Sequence, residues 1–221
     1  MLTVVNKDTA LLAANLSKEG RTVFFSPVEL FTGIPAGDFA DLGYFPADAT
    51  IAPTSNITRT PVTAQNREGG APVTLANPVT EIEVTYEIPV LTPDDLIRDL
   101  HGGTPATAIT TGPLAGTKVS PFNPGASLLG RMIVVSKRGN SNIVRVAWHP
   151  RAFLQSNGFG DSQDNDTALF TVSLQAFDYT PGTELSAYDA QITQYGALFS
   201  VPREKLQALL DILAEEALPA A

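Results

Sequence analysis

From Glu81 to Val90 the chain alternates without interruption. Ile82, Val84, Tyr86, Ile88 and Val90 point one way, and Glu81, Glu83, Thr85 and Glu87 point the other. A period of two sustained this long predicts a strand in a sheet with one dry face and one wet face. The segment then changes period. Thr92 is placed to cap a helix, Pro93 sits at its first position, and Asp94 and Asp95 lie in the first turn, where the helix dipole favours anions. Leu96, Ile97 and Leu100 form an apolar stripe, and Gly102 is expected to end the helix. The wet face is a row of carboxylates rather than a mixed surface.

The rest of the chain reads as mainly β. Strands are expected at 21–28, 56–64, 128–136, 143–149 and 168–178, with one more inside 191–201. The 41–50 stretch is expected to be a strand broken by Pro46. Lys137–Asn142 is turn-like in composition, so 128–149 is expected to form a hairpin. Residues 8–18 suit a short helix or an extended arm, and residues 104–127 form a Gly/Pro/Thr-rich excursion without periodicity. From Ser200 and Pro202 onward, Leu206, Leu209, Leu210 and Leu213 repeat at helical spacing, a helix expected to pack on its own domain. The expected fold is an antiparallel β-sandwich or barrel with a short flanking helix. A β domain spans residues 1–200 and a C-terminal amphipathic helix spans 201–221.

Composition narrows the chemistry. Cysteine is absent, which removes disulfides, thiolate metal sites and cysteine nucleophiles. No leader-like start and no apolar run long enough to span a bilayer is visible. His101 and His149 share no metal-ligand spacing, and no G-x-S-x-G elbow occurs. Gly112–Lys118 resembles a phosphate loop only superficially, its glycine spacing being one residue short. Asp161, Asp164 and Asp166 could hold a cation but lack the EF-hand pattern. Three Asn-x-Ser/Thr triplets, at Asn15, Asn56 and Asn165, carry little weight without a secretory signal. No cofactor, metal site or catalytic set is expected.

Charge is unevenly spread along a chain of net charge −9. Residues 79–103 carry six acids and one base, whereas residues 104–160 carry no acids and the six bases Lys118, Arg131, Lys137, Arg138, Arg145 and Arg151. Residues 161–221 carry ten acids and two bases. One reading is pairing within the molecule. The other is an inter-subunit basic face (Arg131, Lys137, Arg138, Arg145, Arg151) that meets an acidic face of the next copy head-to-tail. Basic residues interleaved with aromatics are missing, which argues against sequence-specific nucleic-acid binding.

The order of segments resembles the major tail tube proteins of long-tailed bacteriophages. Asp41-Leu42-Gly43-Tyr44 looks like that family's early strand, and it precedes a Thr-rich run at Thr54–Thr63. Glu81–Gly103 looks like its acidic central strand and helix. The hairpin 128–149 and the strand 168–178, followed by Thr180-Pro181-Gly182, look like its closing strands. The resemblance covers about residues 20–185. It departs at Pro46–Thr50, where a turn glycine is missing, and residues 186–221 have no counterpart.

The resemblance implies a virion protein assembled in the host cytoplasm. It implies hexameric rings whose strands join into one inner barrel and which stack into a tube for DNA ejection. The implied partners are further copies of the chain and the tail tip, tape measure and tail terminator proteins, with DNA passing through unbound and no membrane involved. Glu81, Glu83 and Glu87 are then expected to face the lumen, where an acidic wall does not trap DNA. The 104–127 excursion and the N-terminal arm are expected to bridge rings. The competing expectations are a β-sandwich binding module, such as a capsid decoration or adhesion domain, and an enzyme built on His101 or His149.

Overall fold

The computed structural model describes residues 18–29, 34, 38–91, 95–121, 123, 125–138, 141–161 and 166–216. Among these residues twelve strands and two α-helices follow in order: β1 (Lys18–Pro27), β2 (Ala40–Asp41), β3 (Thr54–Arg59), β4 (Val62–Ala64), β5 (Val73–Ala76), β6 (Val79–Leu91), α1 (Asp95–Gly102), β7 (Thr107–Ala108), β8 (Lys118–Val119), β9 (Ser127–Arg138), β10 (Ile143–Asp161), β11 (Asp166–Leu174), β12 (Ala197–Pro202) and α2 (Leu206–Glu215). The main sheet is antiparallel and runs β2-β1-β9-β10-β11-β6-β3, with β12 on β10. Its ends do not meet, so it is an open sheet and not a closed barrel.

β9 explains the two-sided architecture. Its centre, Met132-Ile133-Val134-Val135, is buried throughout. Met132 and Val134 join a core with Val23, Phe25, Tyr86, Ile88, Val90, Phe170, Val172 and the α1 residues Ile97 and Leu100. Ile133 and Val135 join a second core with Val144, Val146, Trp148, Leu185 and Leu213 of α2. A strand with two dry faces reads as a continuous apolar run, which is why periodicity alone could not orient it. α2 covers the second core, so the expectation that this helix packs on its own domain holds. It begins later than expected, because Pro202 still pairs with Ile143 in the sheet and a 3-10 turn at Arg203–Lys205 intervenes.

β10 is the long spine, nineteen residues where a short returning strand was expected. Its first part pairs with β12 up to Trp148↔Ala197, and its second part pairs with β11 from Ala152↔Leu174. The changeover falls at His149–Ala152, where the register with β9 also shifts. Pro150 lies there and has no N–H to offer a ladder, which is the position where a strand tolerates proline. The strand then continues to Asp161, beyond the stretch 143–149 in which a strand was expected. Residues 162–165, with the proposed cation ligand Asp164, lie outside those described, and the side chains of Asp161 and Asp166 are not described.

Two further expectations are revised. Residues 41–50 hold only Asp41, the second residue of the two-residue β2, and the 104–127 excursion contains a small β7–β8 hairpin. Lys118 on β8 pairs with Asp95 on α1, and the backbone N–H of Ala106 donates to Asp99, so the excursion is tied to the helix. Helix α1 ends at Gly102, the expected stop. Gly103, with φ +71, takes the left-handed position that closes it, and its N–H donates to the Leu100 carbonyl. The proposed cap residues Thr92–Asp94 and the 8–18 segment, apart from Lys18, lie outside the described residues.

Candidate functional site

Opposite residues on paired antiparallel strands share a face, so the register identifies what each face presents. One face of the sheet is α2-covered over β9, β10 and β12. Further along, no helix covers the same face among the described residues. There the row Ser127–Gln155–Thr171–Glu87 crosses β9, β10, β11 and β6. The next row carries Leu129, Phe153, Ser173, Thr85 and Thr54. Beyond it lie Asn56–Glu83 and Thr58–Glu81 on the β3–β6 ribbon. Glu81, Glu83, Glu87, Gln155 and Ser127 are all exposed. The three carboxylates expected to share one wall do share it, with Tyr86, Ile88 and Val90 buried behind.

The wall extends into a projecting arm. β11 ends at Leu174, opposite Val84, so Val79–Glu83 have only β3 beside them. β4 and β5 carry the same ribbon outward. Every residue of β3 and β5 is exposed. Here one expectation fails: Ile82 continues the dry alternation but is 42% exposed, because the body that buries Tyr86 and Ile88 stops before it. Ile57, its cross-strand neighbour, is 51% exposed on the same side.

The proposed basic face does not form. Arg131 is 1% exposed and lies beneath the end of α2, where it donates to the carbonyls of Ala214 and Glu216 and sits 4.8 Å from the Phe39 ring. Cations placed at a helix C-terminus interact favourably with its carbonyls. Burial lowers its pKa to about 10, partly offset by Glu216. Arg151 is half-buried over the Phe177 ring. Arg145 is exposed and stands on the side of Ser136, the face opposite Arg131. Lys137 is exposed, and the Arg138 side chain is not described. The segregation seen along the sequence is broken up because antiparallel strands send alternate residues to opposite faces. Lys118 and Asp95 form an ion pair within the molecule.

Both histidines are drawn into structural hydrogen bonds. His149 Nδ1 is 2.7 Å from the Tyr195 carbonyl, which can only accept, so Nδ1 carries the hydrogen. Nε2 therefore accepts from the Tyr86 hydroxyl at 2.8 Å. Burial pushes His149 down to about 4, the Tyr195 carbonyl acting in the opposite sense, and burial pushes Tyr86 up to about 12. His101 Nε2 is 2.9 Å from the Gly158 carbonyl, and Ser156 Oγ lies 3.1 Å from Nδ1 and 2.9 Å from Nε2. Burial lowers His101 as well, partly offset by the Gly158 carbonyl. This contact escaped sequence reading, since Ser156 stands in a strand extension that was expected to end before it.

No protein-family model matches the chain, and no curated protein matches it. Among the described residues no helix is long and apolar enough to cross a membrane, and no cluster of three or more His, Asp or Glu is placed to hold a metal.

Proposed function

We propose that this protein is a structural subunit of a bacteriophage tail tube, assembling with copies of itself into stacked, hexameric rings whose acidic inner wall lets DNA pass. The observation that carries the reading is the sheet face, uncovered by any helix among the described residues, with Glu81, Glu83 and Glu87 in one line. A polar face on an extended antiparallel sheet suits a water-filled conduit, and exposed carboxylates along it repel phosphates instead of holding them. The open sheet supplies a second support, because joining free edges between subunits would remove them from solvent. Within this reading the partners are further copies of the chain and the tip, tape measure and terminator proteins of the tail, and the location is the virion. Negative-stain electron microscopy over a concentration series tests it. Hollow tubes or stacked rings are expected. Uniform small particles at every concentration, with and without an added tail-tip complex, would favour a monomeric β-sandwich binding module.

A further inference from the structure

β10 carries a bulge near its far end. It pairs with β11 up to Ser156↔Phe170 and again from Phe159↔Ala168, so Asn157 and Gly158 together face the single residue Leu169. On its other edge the pairing with β9 stops at Gln155↔Ser127, where β9 begins. Asn157 and Gly158 therefore lie outside the register of both ladders, and the backbone there is locally irregular. Both residues are exposed. Gly158 has φ +92, and nothing lies within 4 Å of the place a Cβ would take on it. Alternation along β10 buries Leu154, exposes Gln155 and turns Ser156 towards His101, so Asn157 falls on the wall face beside Gln155.

We propose that Asn157 is a site of spontaneous covalent modification, its side-chain amide closing onto the main chain at Gly158 and opening to isoaspartate. The Gly158 nitrogen attacks the Asn157 Cγ and forms a C–N bond. The side-chain nitrogen leaves as ammonia, taking the proton that the Gly158 amide gives up. Water then adds to either carbonyl of the cyclic imide and cleaves one of its C–N bonds, giving aspartate or isoaspartate. No oxidant, reductant or cofactor takes part. Ring closure needs the chain to leave extended geometry so that the nitrogen reaches Cγ. A regular ladder prevents this, and the bulge does not. A side chain on the following residue crowds the attacking nitrogen, and glycine has none. Asn56 and Asn142 are also exposed, but each precedes an isoleucine, and Asn56 is held in the β3–β6 ladder. Isoaspartate puts a carboxylate on the wall next to Gln155. It also adds one atom to the main chain just before Gly158, whose carbonyl accepts from His101 Nε2 at 2.9 Å, so the tie between the end of α1 and β10 loosens.

The chemistry belongs to the chain itself, whether or not copies assemble. Full-length protein is held at mildly alkaline pH, folded and in urea, and each sample is digested and mapped by mass spectrometry. In the folded protein the mass gain of amide-to-acid conversion is expected at Asn157 several-fold faster than at Asn56 or Asn142, and at a rate within a few-fold of that in urea. Isoaspartate is expected to outweigh aspartate at this position in an isoaspartyl methyltransferase assay. Aspartate alone means direct hydrolysis without the Gly158 nitrogen and overturns the proposal. So does an Asn157 that reacts no faster than the other two asparagines, or one that reacts an order of magnitude more slowly folded than in urea, since the bulge then shields the amide. The isoaspartate form is expected to melt below an Asn157→Asp variant, which carries the charge without the extra main-chain atom. Equal melting overturns the loosening of α1.

Discussion

The hydroxyl of Tyr86 donates to Nε2 of His149 across 2.8 Å of buried interior, joining β6 to the bend of β10. The ring of His149 is held from its other side by the Tyr195 carbonyl, and the Tyr195 hydroxyl reaches the Ile82 carbonyl at the root of the arm. One imidazole thus fixes the spine of the sheet, the strand that bears the carboxylate row and the loop leading to β12. The ring is neutral because burial and the Tyr86 O–H donor disfavour the cation and outweigh the Tyr195 carbonyl, which favours it.

The first prediction is a dependence of stability on pH. The folded protein holds His149 at about 4, well below the ordinary value near 6.5, so the unfolded chain binds the proton more readily between these limits. The contribution is complete above about pH 6.5 and is lost as pH falls towards 4, a change on the order of 3 kcal/mol. Urea unfolding from pH 7.5 to 4.5 should show this slope, and a His149→Gln variant should flatten it. Tyr86 works in the opposite range: its neutral form is favoured, so its contribution is lost as pH rises from 10 to about 12.

Gly196 should tolerate no side chain. Its φ is +109, and a Cβ there would lie 1.9 Å from the Trp148 carbonyl oxygen. Since the Trp148↔Ala197 pair closes β12 onto β10, the clash cannot relax without opening that junction. Gly196→Ala is expected to cost roughly 3 kcal/mol or more in chemical denaturation. A loss under about 1 kcal/mol would show the junction to be pliable.

The end of α2 depends on Arg131 and Glu216. Arg131 binds the last carbonyls of the helix, while Glu216 accepts from the Tyr179 hydroxyl and the Gly182 N–H. Removing the cation leaves buried carbonyls without donors, so Arg131→Met should destabilise by about 2–4 kcal/mol. Leu213, fully buried in the second core, should cost a similar 2–5 kcal/mol as Leu213→Ala. Thermal melts of both variants, with cleavage near residue 205 under limited proteolysis, would check that the loss lies in helix docking.

The carboxylate row should be silent in the monomer. Glu81→Gln, Glu83→Gln and Glu87→Gln together are expected to change stability by less than about 0.5 kcal/mol, since all three are exposed and none is ion-paired among the described residues. Replacing the same three with Lys should leave the fold intact and create salt-sensitive DNA binding in a filter or anisotropy assay. Unchanged DNA affinity in assembled particles would argue that the wall does not face passing DNA.

Local order was legible in the amino-acid sequence wherever one period held. The alternation from Glu81 to Val90 determined a strand with Tyr86, Ile88 and Val90 inside and Glu81, Glu83 and Glu87 outside, because a pleated backbone gives successive residues no other choice. The leucine spacing of α2 determined which side of that helix would be dry. Tertiary structure decided everything that depends on which strands become neighbours. It buried Arg131, separated it from Arg145, carried β10 past Pro150 to bring Ser156 against His101, and left Ile57, Ile82 and Leu198 uncovered. Periodicity reports the two faces of a strand, but the partner across each edge is set by contacts between residues far apart in the chain, and no local pattern encodes them.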